Sequence, residues 1–103
     1  MDILLICVCG MSTSMLAEKM KQAAAEIDYE VNIEANVADN VEDIVPEYDV
    51  VLLAPQVSHK EEEVEMVIEQ YENIKLGLID SLAYGQLDGE KVLKQAMSMV
   101  NDN

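Results

Sequence analysis

Apolar positions along the chain fall into two unbroken runs, one alternating segment and several stripes at helical spacing. Ile3-Leu4-Leu5-Ile6, continuing into Cys7, and Val50-Val51-Leu52-Leu53-Ala54 have no polar interruption. Such runs mark strands covered on both faces, as inside a parallel sheet. Tyr29 to Ala35 behaves differently: Tyr29, Val31, Ile33 and Ala35 fall on one side, Glu30, Asn32 and Glu34 on the other. Period-two alternation predicts a half-exposed strand at a sheet edge. Ile74 to Ile79 reads as the last strand.

The intervening segments carry helical periodicity. From about Ser12 to Ile27, residues Leu16, Met20, Ala23, Ala24 and Ile27 recur at spacings of three and four, with Glu18, Lys19, Lys21 and Gln22 turned away. Val41, Ile44 and Val45, stopped by Pro46, predict a helix of one or two turns. Ser58 with Glu61 fits a capping box ahead of Val64, Val67, Ile68 and Tyr71, so the pattern predicts a helix over about His59 to Glu72. Leu82 to Gln86 reads as a loop leading through Asp88, as cap, into a final helix with Val92, Leu93, Ala96, Met99 and Val100 on one stripe.

Alternation of strands and helices builds a parallel sheet with right-handed crossovers. The continuous runs need interior places and the alternating strand needs an edge, which the order 2-1-3-4 satisfies. The expectation is therefore a three-layer α/β fold: a four-stranded parallel sheet flanked by helices, one domain over residues 1–103. In that order the topological switch point lies between strands 1 and 3, where ligands bind outside the carboxyl ends of strands. Strand 1 ends there at Cys7.

Composition narrows the partners. The chain has 21 acidic residues against 6 lysines and no arginine, a formal net charge of -15. Nucleic acid is excluded as a partner, because phosphate backbones are held by Lys and Arg patches. An anionic membrane surface is disfavoured on the same ground. The longest apolar run, Ile3 to Cys9, is far below the roughly 20 residues needed to span a bilayer, so no direct membrane insertion is expected. Two cysteines one residue apart do not form a secreted disulfide framework, and no charged leader opens the chain, so a reducing, cytoplasmic location is expected.

The candidate chemistry lies in Cys7-Val8-Cys9-Gly10-Met11-Ser12-Thr13-Ser14, a turn from the first strand into the first helix. Backbone N–H groups at a helix start can cradle a phosphoryl group on sulfur, with the hydroxyls as added donors and Gly10 permitting close approach. The plainer reading makes Cys7 and Cys9 small buried residues closing a strand. Phosphatase action would use Cys, five residues, Arg, Ser; Cys7 and Ser14 fit that spacing, but Thr13 stands at the arginine position. Hydrolysis then lacks its clamp on transition-state charge. Redox pairing of Cys7 with Cys9 would close a very small, strained ring. Relay of a phosphoryl group through Cys7 suits a loop of backbone and hydroxyl donors. It requires no metal and no dissociable cofactor. His59, in the first turn of the predicted third helix, faces the same side.

Cys7 followed by Gly10-Met11-Ser12-Thr13-Ser14 resembles the phosphocysteine loop of enzyme IIB components of the lactose, cellobiose and chitobiose class of the bacterial phosphoenolpyruvate-dependent sugar phosphotransferase system. The similarity continues through Leu52-Leu53-Ala54-Pro55-Gln56-Val57 and Ile79-Asp80-Ser81-Leu82-Ala83-Tyr84-Gly85. The resemblance implies Cys7 as the phosphorylated residue, Val8 to Ser14 as its phosphate loop, and a fold like the low-molecular-weight tyrosine phosphatases. It also implies a histidine-phosphorylated enzyme IIA as donor and a membrane enzyme IIC with bound sugar as acceptor. Through enzyme IIC the protein would be peripheral to the membrane. The family pattern often has a small residue where Cys9 stands. The alternative is a non-catalytic, anion-binding regulatory domain of the same fold.

Overall fold

The computed structural model describes residues 1–7, 11–37 and 41–101, with Met11, Ser12 and Asn101 described as backbone only. Strands β1 (Asp2–Cys7), β2 (Asn32–Val37), β3 (Val50–Leu53) and β4 (Lys75–Leu78) form one sheet in the order β2-β1-β3-β4. Every neighbouring pair is parallel. Helices α1 (Met11–Glu26), α2 (Val41–Ile44), α3 (Glu61–Ile68), α4 (Ser81–Gly85) and α5 (Gly89–Asn101) complete the layers. The expected fold class and strand order are both present.

The unbroken runs are buried for the reason their composition suggests: alternate residues feed two separate cores. Ile3, Leu5, Val50 and Leu52 face Leu16, Met20 and Ala24 of α1 and Val92, Leu93 and Ala96 of α5. Leu4, Ile6, Val51 and Leu53 face Val41, Val45, Val57, Val64 and Ile68 on the other side. Each such aliphatic side chain contributes about 1.5–3 kcal/mol on burial. The α1–α5 packing depends on Gly89, where a Cβ would lie 2.5 Å from the Met20 backbone nitrogen. Any side chain there would push α5 off the helix that carries the candidate site.

Several element limits differ from the sequence expectation. β2 begins at Asn32 rather than Tyr29 because its partner begins at Asp2, and Asp2 pairs with Asn32. Tyr29 and Val31 instead pack against the α1 side of the core. Ile27 is 59% exposed, since α1 ends at Glu26 and the chain reverses through Asp28 at φ 53°. The capping box at Ser58 does not form: Pro55–Lys60 is a 3₁₀ segment, α3 starts at Glu61 with Lys60 at its cap, and no side chain caps it. Proline at the start of the segment and burial of Val57 explain the tighter turn. α4 occupies the segment expected to be a loop. Among the described residues, no helix is long and apolar enough to cross a membrane.

Candidate functional site

Parallel pairing sets β1 between β2 and β3, so Cys7 closes the central strand at the carboxyl edge of the sheet. Its side chain is 3% exposed and belongs to the apolar cluster that includes Val41, Leu53, Ala54 and Val57. The plainer reading of Cys7 as a buried strand-end residue is thus correct as far as packing goes. Its polar contacts add something packing does not require. The Thr13 hydroxyl donates to Cys7 Sγ at 2.8 Å, and the thiol can donate weakly to the Asn36 carbonyl at 3.8 Å.

These contacts are products of topology. Register sets Ile6 beside Asn36 and Cys7 beside Val37, which brings the β2 carbonyl to the sulfur. The alternation pattern ends one residue short of Asn36, so the sequence signal that would have found it is the adjacency of strands 2 and 1. Thr13 reaches the sulfur because it sits in the first turn of α1, on the inward face continued by Leu16, Ala17 and Met20.

The remaining predicted residues divide plainly. Val8, Cys9 and Gly10 lie outside the described residues, and Met11 and Ser12 are described as the start of α1 without their side chains. Ser14 is exposed on the first turn. Gln56, Ser58 and His59 are exposed along the 3₁₀ segment, and Tyr84 is half-buried in α4 between the two core clusters. A surface cavity of about 530 Å³ lies between α2 and α3 and is lined by residues such as Val41, Glu63 and Met66. None of the described site residues lines it.

Charge is distributed unevenly around this turn. The first turn of α1 contains no acidic residue, whereas α3 opens with Glu61, Glu62 and Glu63. At Tyr48, burial and then Glu34, Glu47 and Asp2 push the phenol above its usual range. The first turn of α1 thus brings no carboxylate of its own to its backbone donors. α4 has the opposite arrangement: Asp80 accepts from the Ala83 N–H at 3.0 Å and pairs with Lys91 at 3.6 Å.

The described part of the turn thus holds a buried thiol at the end of a central parallel strand, touched by a hydroxyl from a helix whose first turn has no acidic residue. Residues 2–95 match the family described as "PTS system, Lactose/Cellobiose specific IIB subunit", and the chain belongs to that family. It is 42% identical over 98 residues to the oligo-beta-mannoside-specific EIIB component of Bacillus subtilis (strain 168), covering 95% of this chain and 94% of that one. The solution structure of the cellobiose-specific phosphotransferase IIB component from Borrelia burgdorferi superposes with a TM-score of 0.81 at 36% identity, covering 99% of this chain and 93% of that one. The lactose-specific EIICB component of Staphylococcus epidermidis (strain RP62A) is 28% identical over 103 residues, which are 98% of this chain and 18% of that protein.

Proposed function

We propose that this chain is a phosphoryl-relay protein of a sugar phosphotransferase system, one IIB domain over its whole length, with Cys7 as the residue that carries phosphate. The observation that carries the reading is the Cys7 sulfur at the end of β1, held by the Thr13 hydroxyl at the start of α1. Family membership supplies the class of reaction.

In the first half-reaction the Cys7 thiolate, its proton already lost to solvent, attacks the phosphorus of a phosphohistidine on enzyme IIA. The S–P bond forms as the P–N bond breaks, and the electron pair leaves on the histidine nitrogen. In the second, a sugar hydroxyl bound by enzyme IIC attacks phosphorus. The P–S bond then breaks toward sulfur, and the hydroxyl proton passes to solvent. Backbone donors of residues 8–14 and the Ser12 and Ser14 hydroxyls hold the phosphoryl oxygens between the two steps. The chain has no arginine to stabilise attack by water, which favours keeping the phosphoryl group over hydrolysing it. The EIICB name of the Staphylococcus relative joins a IIC and a IIB component, which supports docking on enzyme IIC at the membrane.

Incubation with phosphorylated enzyme IIA followed by peptide mass mapping tests the reading. Cys7 should carry the phosphoryl group, and Cys7→Ser should lose the label. Labelling of the serine variant equal to the parent, or a parent that never labels at Cys7, would overturn it.

A further inference from the structure

Thr13 is the single buried polar side chain among the described residues, with none of its surface exposed. Its β-branched side chain has few rotamers inside a helix, and buried Leu16 and Ala17 in the next turn fix the face it sits on. A hydroxyl in such a place must have a hydrogen-bond partner, and Cys7 Sγ is 2.8 Å away. Thr13 also stands where the phosphatase spacing has its arginine, six residues after Cys7. An arginine there would reach outward to phosphoryl oxygens. Thr13 turns inward to the sulfur.

We propose that Thr13 is a positioning residue whose hydroxyl acts on the charge state of the Cys7 sulfur and does not hold phosphoryl oxygens. This rests on the relay reading and assigns Thr13 a role other than the phosphate ligand expected from sequence. The reason is that the sulfur passes through three states with different demands. As a thiol it can donate to the Asn36 carbonyl at 3.8 Å. As a thiolate it can only accept, and a hydrogen bond to a charged acceptor is roughly twice as strong as one to a neutral acceptor. As the sulfur of an S–P bond it shares its electron density with phosphorus and accepts more weakly. The Thr13 hydroxyl therefore favours the thiolate over both other states. When the P–S bond breaks toward sulfur, the new charge forms against a donor already in place. Thr13 thus speeds the outgoing half-reaction more than the incoming one.

Thr13→Val removes the hydroxyl at nearly constant shape, and Thr13→Ser restores it. On the full chain, alkylation of Cys7 by iodoacetamide is followed against pH, with fragment ions separating Cys7 from Cys9. Phosphoryl return from Cys7 to the enzyme IIA histidine is timed alongside. Loss of one charge-assisted hydrogen bond should move the alkylation profile of Thr13→Val to the alkaline side and slow phosphoryl return about tenfold. Thr13→Ser should recover both. Urea unfolding confirms the fold; if valine lowers the midpoint severely, Thr13→Ala carries the same expectations in the same assays. An unchanged alkylation profile in a folded variant, or identical behaviour of the valine and serine variants, would overturn the proposal. A parent that never phosphorylates would instead defeat the relay reading, and the alkylation profile would still decide the role of Thr13.

Discussion

Helices α1 and α4 both leave the carboxyl end of the same sheet, after β1 and β4, and both stop in the same way. In α1, Asp28 at φ 53° lets Tyr29 N–H reach the Ala24 carbonyl at 2.9 Å. In α4, Leu87 at φ 53° lets Asp88 N–H reach the Ala83 carbonyl at 2.9 Å. Their beginnings are opposites. α4 opens on its own carboxylate, Asp80, which accepts from Ala83 N–H and is braced by Lys91. α1 opens with no acid in its first turn, beside a sulfur and a buried hydroxyl. The chain thus builds a self-capped helix start at α4. On the relay reading proposed above, the start of α1 serves the phosphoryl group carried on Cys7.

Making the two starts alike is the strongest way to break this contrast. Ser14→Asp would give α1 a carboxylate in its first turn, which should leave stability unchanged or raise it by about 0.3–1 kcal/mol. Initial rates of phosphoryl uptake from enzyme IIA should fall at least about tenfold, because the carboxylate repels the incoming dianion. An unchanged rate would mean that the anion is not held at this helix.

A weaker effect is expected at the α4 start. The Ala83 N–H above all holds the Asp80 carboxyl below its ordinary value of 3.8; desolvation, the second-largest effect, opposes it, and Lys91 adds to the lowering. A carboxyl lowered in the folded state stabilises the fold above its unfolded value, and that contribution disappears as pH falls through the folded value. Below about pH 4 the urea midpoint of the parent should therefore drop more steeply than that of Asp80→Asn, with phosphoryl uptake at neutral pH equal in both. Parallel pH curves would remove Asp80 as the anion of α4.

The smallest effect is at the helix end that the two share. Asp28→Gly relieves a left-handed backbone at an exposed site and should raise stability by about 0.5 kcal/mol without touching uptake. Leu87→Gly should show no such gain, because Leu87 packs against the core. Paired thermal melts distinguish the two.

Much of the fold is legible in the sequence. The buried strands announced themselves as Ile3-Leu4-Leu5-Ile6 and Val50-Val51-Leu52-Leu53, since burial on both faces leaves no room for polar residues. Strand order then followed, and with it the place of Cys7. Asp88 also acts as the cap expected of it, accepting from Lys91 N–H at 3.1 Å. α4 was not legible, because five residues are too few to display a period of 3.6. The start of α3 differs from the expectation because a capping-box spelling at Ser58 cannot reveal that the chain first makes a 3₁₀ turn around buried Val57. The direction of Thr13 was hidden for a similar reason. A hydroxyl in a Ser-Thr-Ser run looks the same whether it faces a ligand or a sulfur, and only the rotation of α1 on its core decides.

The most direct measurement is a comparison of backbone amide resonances before and after phosphorylation of the chain by enzyme IIA. The expected result is S-linked phosphate on Cys7, with the amide shifts concentrated in residues 8–14 and the Ala83 amide, already committed to Asp80, unmoved. Phosphate on another residue, or shifts at Ala83 with residues 8–14 unmoved, would contradict the assignment of the acid-free start of α1 as the phosphoryl site.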